Sequence, residues 1–225
     1  MIERPYHHGG LRNALLARAE QTLRNSGVEG LSLRELARDI GVSHAAPHRH
    51  FRDRNALLDA LATNGFRRLR ETLDEAAEGR HERFEVTLTE VAVAYVRFAT
   101  DNPALLALMF TSKHEADASV ELKAAADASF ARLAAVVEQG QRAGELVAGS
   151  LDSIGIVLFA TLQGITSLAN THMIETDDLE PTTAYAVHAL LHGLSPARND
   201  KRPLNRSSGG AALVAPKGFE PSLPP

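Results

Sequence analysis

The stretch LSLRELARDIGVSHAAPHRHF, residues 31–51, holds two short segments that each open on a serine and are parted by a glycine. Ser32 reads as an N-cap, and Glu35 three residues on completes a capping box. Leu31 before the cap can staple onto Leu36. Gly41 stops the helix after Ile40 because glycine adopts the left-handed conformation at little cost. Val42 is an apolar plug in the turn. Ser43 reads as a second N-cap, opening a short helix from His44 to about His50. Pro47 falls at its fourth position, where the lost N–H costs less than in a helix interior. Helix, turn of about three residues and helix is the spacing of a helix-turn-helix.

The flanks supply the third helix. Leu11, Leu15, Ala19 and Leu23 recur at i+4 and predict a helix over 11–25, with Gly27 just beyond its last turn. After Asp53, the stripe Ala56, Leu57, Ala60, Leu61 and Phe66 predicts a helix reaching Ala77. Phe51 and Leu57 would close a small core with Leu36, Ile40 and Leu15. The rest of the chain reads as helices over about 82–100, 103–110, 116–143, 152–171 and 181–194. Pro103 suits a first turn, Gly144 ends a helix, and Asp152 is placed to cap one. The segment 152–171 is apolar nearly all round, so it must be buried in the domain or against another chain. With 181–194 beside it, it is the expected subunit interface, represented by Leu158, Phe159, Leu162, Ile165, Leu190 and Leu191. After Ser195 the chain turns rich in Pro, Gly, Ser and charge, which predicts a disordered tail over 196–225.

Composition narrows the chemistry. Few aromatics and an abundance of Ala and Leu favour helices over sheets. Without cysteine there is no disulfide, zinc-thiolate site or thiol catalysis. No run of about 18 uncharged apolar residues is read as a membrane span, and no signal peptide is read at the N-terminus. A cytoplasmic location is the resulting expectation. The net charge of −4 is unevenly spread. Residues 1–70 hold 12 basic and 7 acidic side chains, a balance of +5, while residues 71–225 hold 12 and 21, a balance of −9. A basic head on an acidic body points to an anionic partner for the head alone.

The histidines of GVSHAAPHRHF admit three readings. His44 and His48 are i, i+4, as zinc ligands often are, but no H-E-x-x-H glutamate accompanies them. Ser43 beside His44 lacks the base and orienting group of a nucleophilic site. Contact with DNA remains. In a helix-turn-helix the start of the second helix faces base edges, and here that is His44, Ala45 and Ala46. His48, Arg49 and His50 can donate to phosphates or bases. Ser32 and Ser43 sit at helix N-termini, which favour phosphates. Arg34 and Arg54 could bracket the backbone. No metal site, cofactor or catalytic residue is expected.

The residues 31–61 resemble the DNA-binding domain of TetR-family transcriptional regulators, and the resemblance extends over 11–62. YHHGGLRNALL is similar to the opening of one subgroup, the WHG type. YVRFATDNPALLALMF and FATLQGITSL resemble its C-terminal domain, with Phe159 and Gln163 where Trp and His are usual and Gly164 kept. His48 stands where the family usually has a DNA-contacting Tyr. Histidine is shorter and its charge depends on pH, so affinity is expected to rise as pH falls toward about 6.

The resemblance implies an all-α fold in two parts: a helix-turn-helix domain over 1–53 and a helical ligand-binding and dimerisation domain over 54–195. It implies a homodimeric repressor on double-stranded operator DNA, released by a small-molecule effector, with no membrane partner. Tyr95, Phe98, Met109, Phe110 and Phe130 are the candidates for lining the effector pocket. Two readings of other classes compete. A helical enzyme or binding protein with an incidental basic head would need a titratable cluster in the body, for which His172, Glu175 and Asp177 come nearest. A nonspecific architectural DNA binder would need a broader basic surface.

Overall fold

Residues 8–79 and 83–192 are described by a computed structural model. The expected tail over 196–225 lies outside them. Among the described residues every regular element is helical. The order is α1 (His8–Ser26), a 3-10 turn (Val28–Gly30), α2 (Leu33–Asp39), a 3-10 turn (Pro47–Arg49), α3 (Arg54–Ala77), α4 (Phe84–Asp101), α5 (Pro103–Ser112), α6 (Val120–Arg142), α7 (Leu151–Asn170), a 3-10 turn (Thr176–Asp178) and α8 (Leu179–His192).

The head forms because α1 turns one apolar stripe inward. Leu11, Leu15, Leu16, Ala19 and Leu23 are buried, and they share one core with Leu31, Leu33, Leu36, Phe51, Leu57 and Leu61. Arg18 fastens α1 to α2 by donating from Nε and Nη2 to Asp39 Oδ2 at 3.0 and 2.8 Å. The turn after α2 is fixed by Gly41, whose φ of +72° lets the Val42 N–H reach the Ala37 carbonyl at 2.9 Å. A side chain at that φ would be strained.

The cap positions differ from their sequence expectation. Ser32 holds the extended N-cap conformation of α2, yet its hydroxyl makes no cap hydrogen bond. The segment opened by Ser43 is not an α-helix. Ala46 N–H donates to Ser43 O, Arg49 N–H to Ala46 O, and His50 N–H to Pro47 O. These are i→i+3 bonds. Pro47 has no N–H to return to Ser43, and in so short an element that missing bond tightens the backbone into a 3-10 turn. Further along, Ser150 caps α7 by accepting from Ser153 N–H, while Asp152 lies in the first turn. Ser119 caps α6 in the same way through Leu122 N–H, so that helix begins later than the sequence suggests.

α3 is the spine. Its first half closes the head core and its second half packs into the body. Asp53 caps it, accepting from Ala56 N–H at 2.8 Å. Arg68 on α3 grips Glu20 of α1 with both carboxylate oxygens 2.9 Å from Nη1. Asp59 accepts from the backbone N–H and hydroxyl of Ser119 at 2.9 and 2.6 Å, tying α3 to the start of α6. In the body, α4 contributes Leu88, Val91, Tyr95 and Val96 to the core, and α5 contributes Leu105 and Met109. Gly140 of α6 lets the Phe84 ring lie on its α-carbon. A Cβ there would sit 2.4 Å from the ring.

Candidate nucleic-acid interface and ligand cavity

The head presents an exposed group at its tip. Arg34 is exposed in the first turn of α2. Ser43, His44, Ala45, His48 and Arg49 are exposed along the turn and the 3-10 segment. Pro47 and Phe51 are buried beneath them, and Ala46 packs half-buried against the core. This small core fixes where the exposed groups stand. His48 Nδ1 lies 3.4 Å from the Arg52 carbonyl oxygen. Arg52 itself is exposed beside Asp53, with 3.1 Å between Nε and Oδ2. Arg52 is absent from the contact set read from sequence, although its place between the 3-10 turn and the Asp53 cap is an available signal.

Two of the expected contact residues are turned elsewhere. Arg54 donates from Nε to Leu31 O at 3.0 Å and from Nη2 to Val28 O at 2.6 Å. Its guanidinium is committed to the loop before α2 rather than presented beside the exposed group. His50 is half-buried and lines a polar recess between α1 and α3 with Arg12, Asn13 and Asp59. Arg12 in turn stacks over Phe51, 5.4 Å from its centroid.

The body holds an apolar cavity of about 490 Å³ between α4, α6, α7 and α8. Leu88 and Val91, Phe130, Leu133 and Val137, Leu158, Phe159 and Leu162, and Val187 form its walls, with Asp152 and Thr161 as polar lining residues. Of the five pocket residues named from sequence, Phe130 lines it. The other four do not. Tyr95 is buried and edge-on to Phe159, its hydroxyl donating to Gln163 Oε1 at 2.8 Å. Burial pushes its phenol well above the usual range. Met109 and Phe98 are core residues, and Phe110 joins an aromatic cluster with Phe66, Phe130 and Phe159 at centroid distances of 5.7–6.2 Å. Helical spacing marks these residues as inward-facing, which is equally true of core and of cavity wall. Lys113 caps this cluster, its Nζ 4.2 Å from the Phe130 centroid and 4.8 Å from that of Phe110, and partial burial lowers its pKa.

α7 has two faces. Leu162 and Ile165 are buried within the chain, and Leu158 and Phe159 line the cavity. These four, named from sequence as interface residues, belong to the inner face. The outer face carries Val157 and Leu168, which are 53% and 40% exposed, while Ile156, 60% exposed, and Leu190 of α8 also line the cavity. On α8, Tyr185 and Leu190 are also exposed and Leu191 is half-buried. Of the described helices, α7 is the one long and apolar enough to cross a bilayer. The sequence does not flag it as a span because Thr161, Gln163, Thr166 and Ser167 interrupt the apolar run. His172, Glu175 and Asp177 stand exposed in the loop after α7.

An all-helical chain with a helix-turn-helix at one end and a helical body defines a class of DNA-binding regulatory proteins. Comparison with known proteins bears this out. Residues 15–61 match the model for bacterial regulatory proteins of the tetR family, and residues 88–195 match that for the tetracyclin repressor-like C-terminal domain. The chain belongs to the TetR family. Over 51 residues it is 45% identical to the tetracycline repressor protein class C of Escherichia coli, a match spanning 23% of each chain. A protein with unknown function from Rhodococcus sp. RHA1 is 45% identical in its solved structure, with a TM-score of 0.78 over 86% of this chain and 100% of that one. The TetR-family regulator PfmR of Thermus thermophilus shares the fold at 19% identity, with a TM-score of 0.65 over 81% of this chain and 99% of that one.

Proposed function

We propose that this chain is a homodimeric, sequence-specific DNA-binding transcriptional regulator of the cytoplasm, a repressor that a small apolar effector releases from its operator. The observation that carries the reading is the exposed set of Arg34, His44, Ala45, His48 and Arg49, in the N-terminal part of a chain whose residues 1–70 carry a net charge of +5. Side chains at the start of the second element of a helix-turn-helix read base edges, while cations and helix N-termini hold phosphates. Small Ala45 permits close approach and can touch a thymine methyl. The division of labour falls near Asp53, with residues 1–53 reading DNA and 54–195 binding effector and partner.

The outer face of α7 with α8 is the surface for a second copy. Val157 and Leu168 are exposed apolar side chains outside the cavity lining. A two-fold pair would bury them and set two heads on a palindromic site. The cavity behind that face suits an effector that is mostly apolar, with a polar group near Asp152 or Thr161. Because α7 forms both a cavity wall and the pairing face, an effector that prefers one arrangement of α7 shifts the spacing of the heads. The Glu20–Arg68 and Asp59–Ser119 ties carry such a shift into α1 and α3.

The test is operator binding by Arg34→Ala and His44→Ala. Both variants are expected to remain folded dimers and to lose about 1–3 kcal/mol of specific binding each. Normal operator binding by both would refute the docking face.

A further inference from the structure

The structure brings together three side chains that the DNA-binding reading does not use. His188 and His192 are i, i+4 on α8, and Glu85 lies in the first turn of α4. His188 Nδ1 is 2.8 Å from Glu85 Oε1, and His192 Nε2 is 3.5 Å from Glu85 Oε2. One ligand atom from each residue falls within 4.8 Å of the others. We infer that Glu85, His188 and His192 form a binding site for a borderline divalent transition-metal ion such as Zn²⁺.

The geometry fits that class of ion. Zinc bonds of about 2.0–2.2 Å in a tetrahedron place neighbouring ligand atoms roughly 3.4 Å apart. The two histidine–glutamate separations bracket that value, and the remaining gap closes by rotation of exposed imidazoles. Both rings are more than half exposed, so water can fill the remaining coordination positions. Two imidazoles and one carboxylate select zinc, nickel, cobalt or copper over magnesium and calcium, which take oxygen sets. Arg83 donates to Glu85 Oε2 at 2.7 Å. It competes for one carboxylate oxygen and leaves Oε1 facing His188. An ion here would fasten the end of α8 to the start of α4.

The experiment is calorimetric titration of the full chain, free of any histidine tag, with Zn²⁺ at neutral pH. One Zn²⁺ per chain is expected. A lost second-shell partner typically costs 10–100-fold, so removing ligands in His188→Ala/His192→Ala is expected to weaken binding about 100-fold or more. Glu85→Gln, which keeps the shape of the side chain, is expected to weaken it as well. The control His44→Ala/His48→Ala is expected to bind like the parent. The proposal is overturned if the parent binds no Zn²⁺ at Kd values below about 100 μM. It is equally overturned if the His188/His192 variant, folded by circular dichroism, binds as the parent does.

Discussion

Arg54→Ala separates a structural arginine from a phosphate contact. The guanidinium makes two charge-assisted hydrogen bonds to the carbonyls of Leu31 and Val28. Bonds to charged groups are worth about 1.5–3 kcal/mol each. The side chain is 38% exposed, so water replaces part of that interaction. The Val28 carbonyl also keeps the Leu31 N–H at 3.1 Å. The net cost is therefore about 2 kcal/mol. In a chain of this size each kcal/mol moves the melting point by about 2–4 °C, so Tm is expected to fall by about 4–8 °C. The assay pairs thermal unfolding by circular dichroism with operator affinity across a salt series. The slope of log K against log salt is expected to stay unchanged, since each phosphate contact contributes about 0.9 to it. A Tm within about 1 °C of the parent, with the slope reduced by about 1, would refute the assignment and return Arg54 to the DNA backbone.

Other expectations follow from the same contacts. Gly140→Ala drives a Cβ to 2.4 Å from the Phe84 ring and should destabilise the body by about 1–3 kcal/mol in a denaturant titration; unchanged stability would mean that Phe84 moves freely. Val157→Glu with Leu168→Glu should give a folded monomer by sedimentation, whereas Leu162→Glu should impair folding; a stable Val157/Leu168 dimer would remove this face of α7 from the interface. The Glu85 pKa is lowered in the folded state from its ordinary value of 4.5. Its stabilisation is therefore complete above that value and is lost as pH falls through the lowered one. Glu85→Gln should lose stability relative to the parent at about pH 6 and converge with it in acid; a gap of constant size would contradict the ion-pair account.

The helices are legible in the sequence where one apolar stripe meets a clear stop. Leu11 to Leu23, Gly41 and Gly144 each declare an element or its end through local physics. Less legible is anything that depends on which inward face meets what. Leu162 and Leu168 look alike in sequence, but one is buried within the chain and the other exposed. Tyr95 and Phe130 both point inward, and only the packing of α4, α6 and α7 leaves a void beside Phe130. Pro47 is visible in sequence, yet its effect depends on the length of its element. Arg54 reads as free because the carbonyls of Val28 and Leu31 that hold it lie more than twenty residues away. The histidine pair 188 and 192 carries a helical spacing in sequence, but its carboxylate comes from another helix.

The central claim is that the head reads a specific DNA sequence. The most direct measurement is binding of the purified protein to DNA from upstream of its own coding sequence against random DNA of equal length, over a range of salt concentrations. The account predicts binding to the upstream DNA tighter by about 10³-fold or more, with affinity falling steeply as salt rises. Equal affinity for both DNAs, or no binding to either, would contradict it.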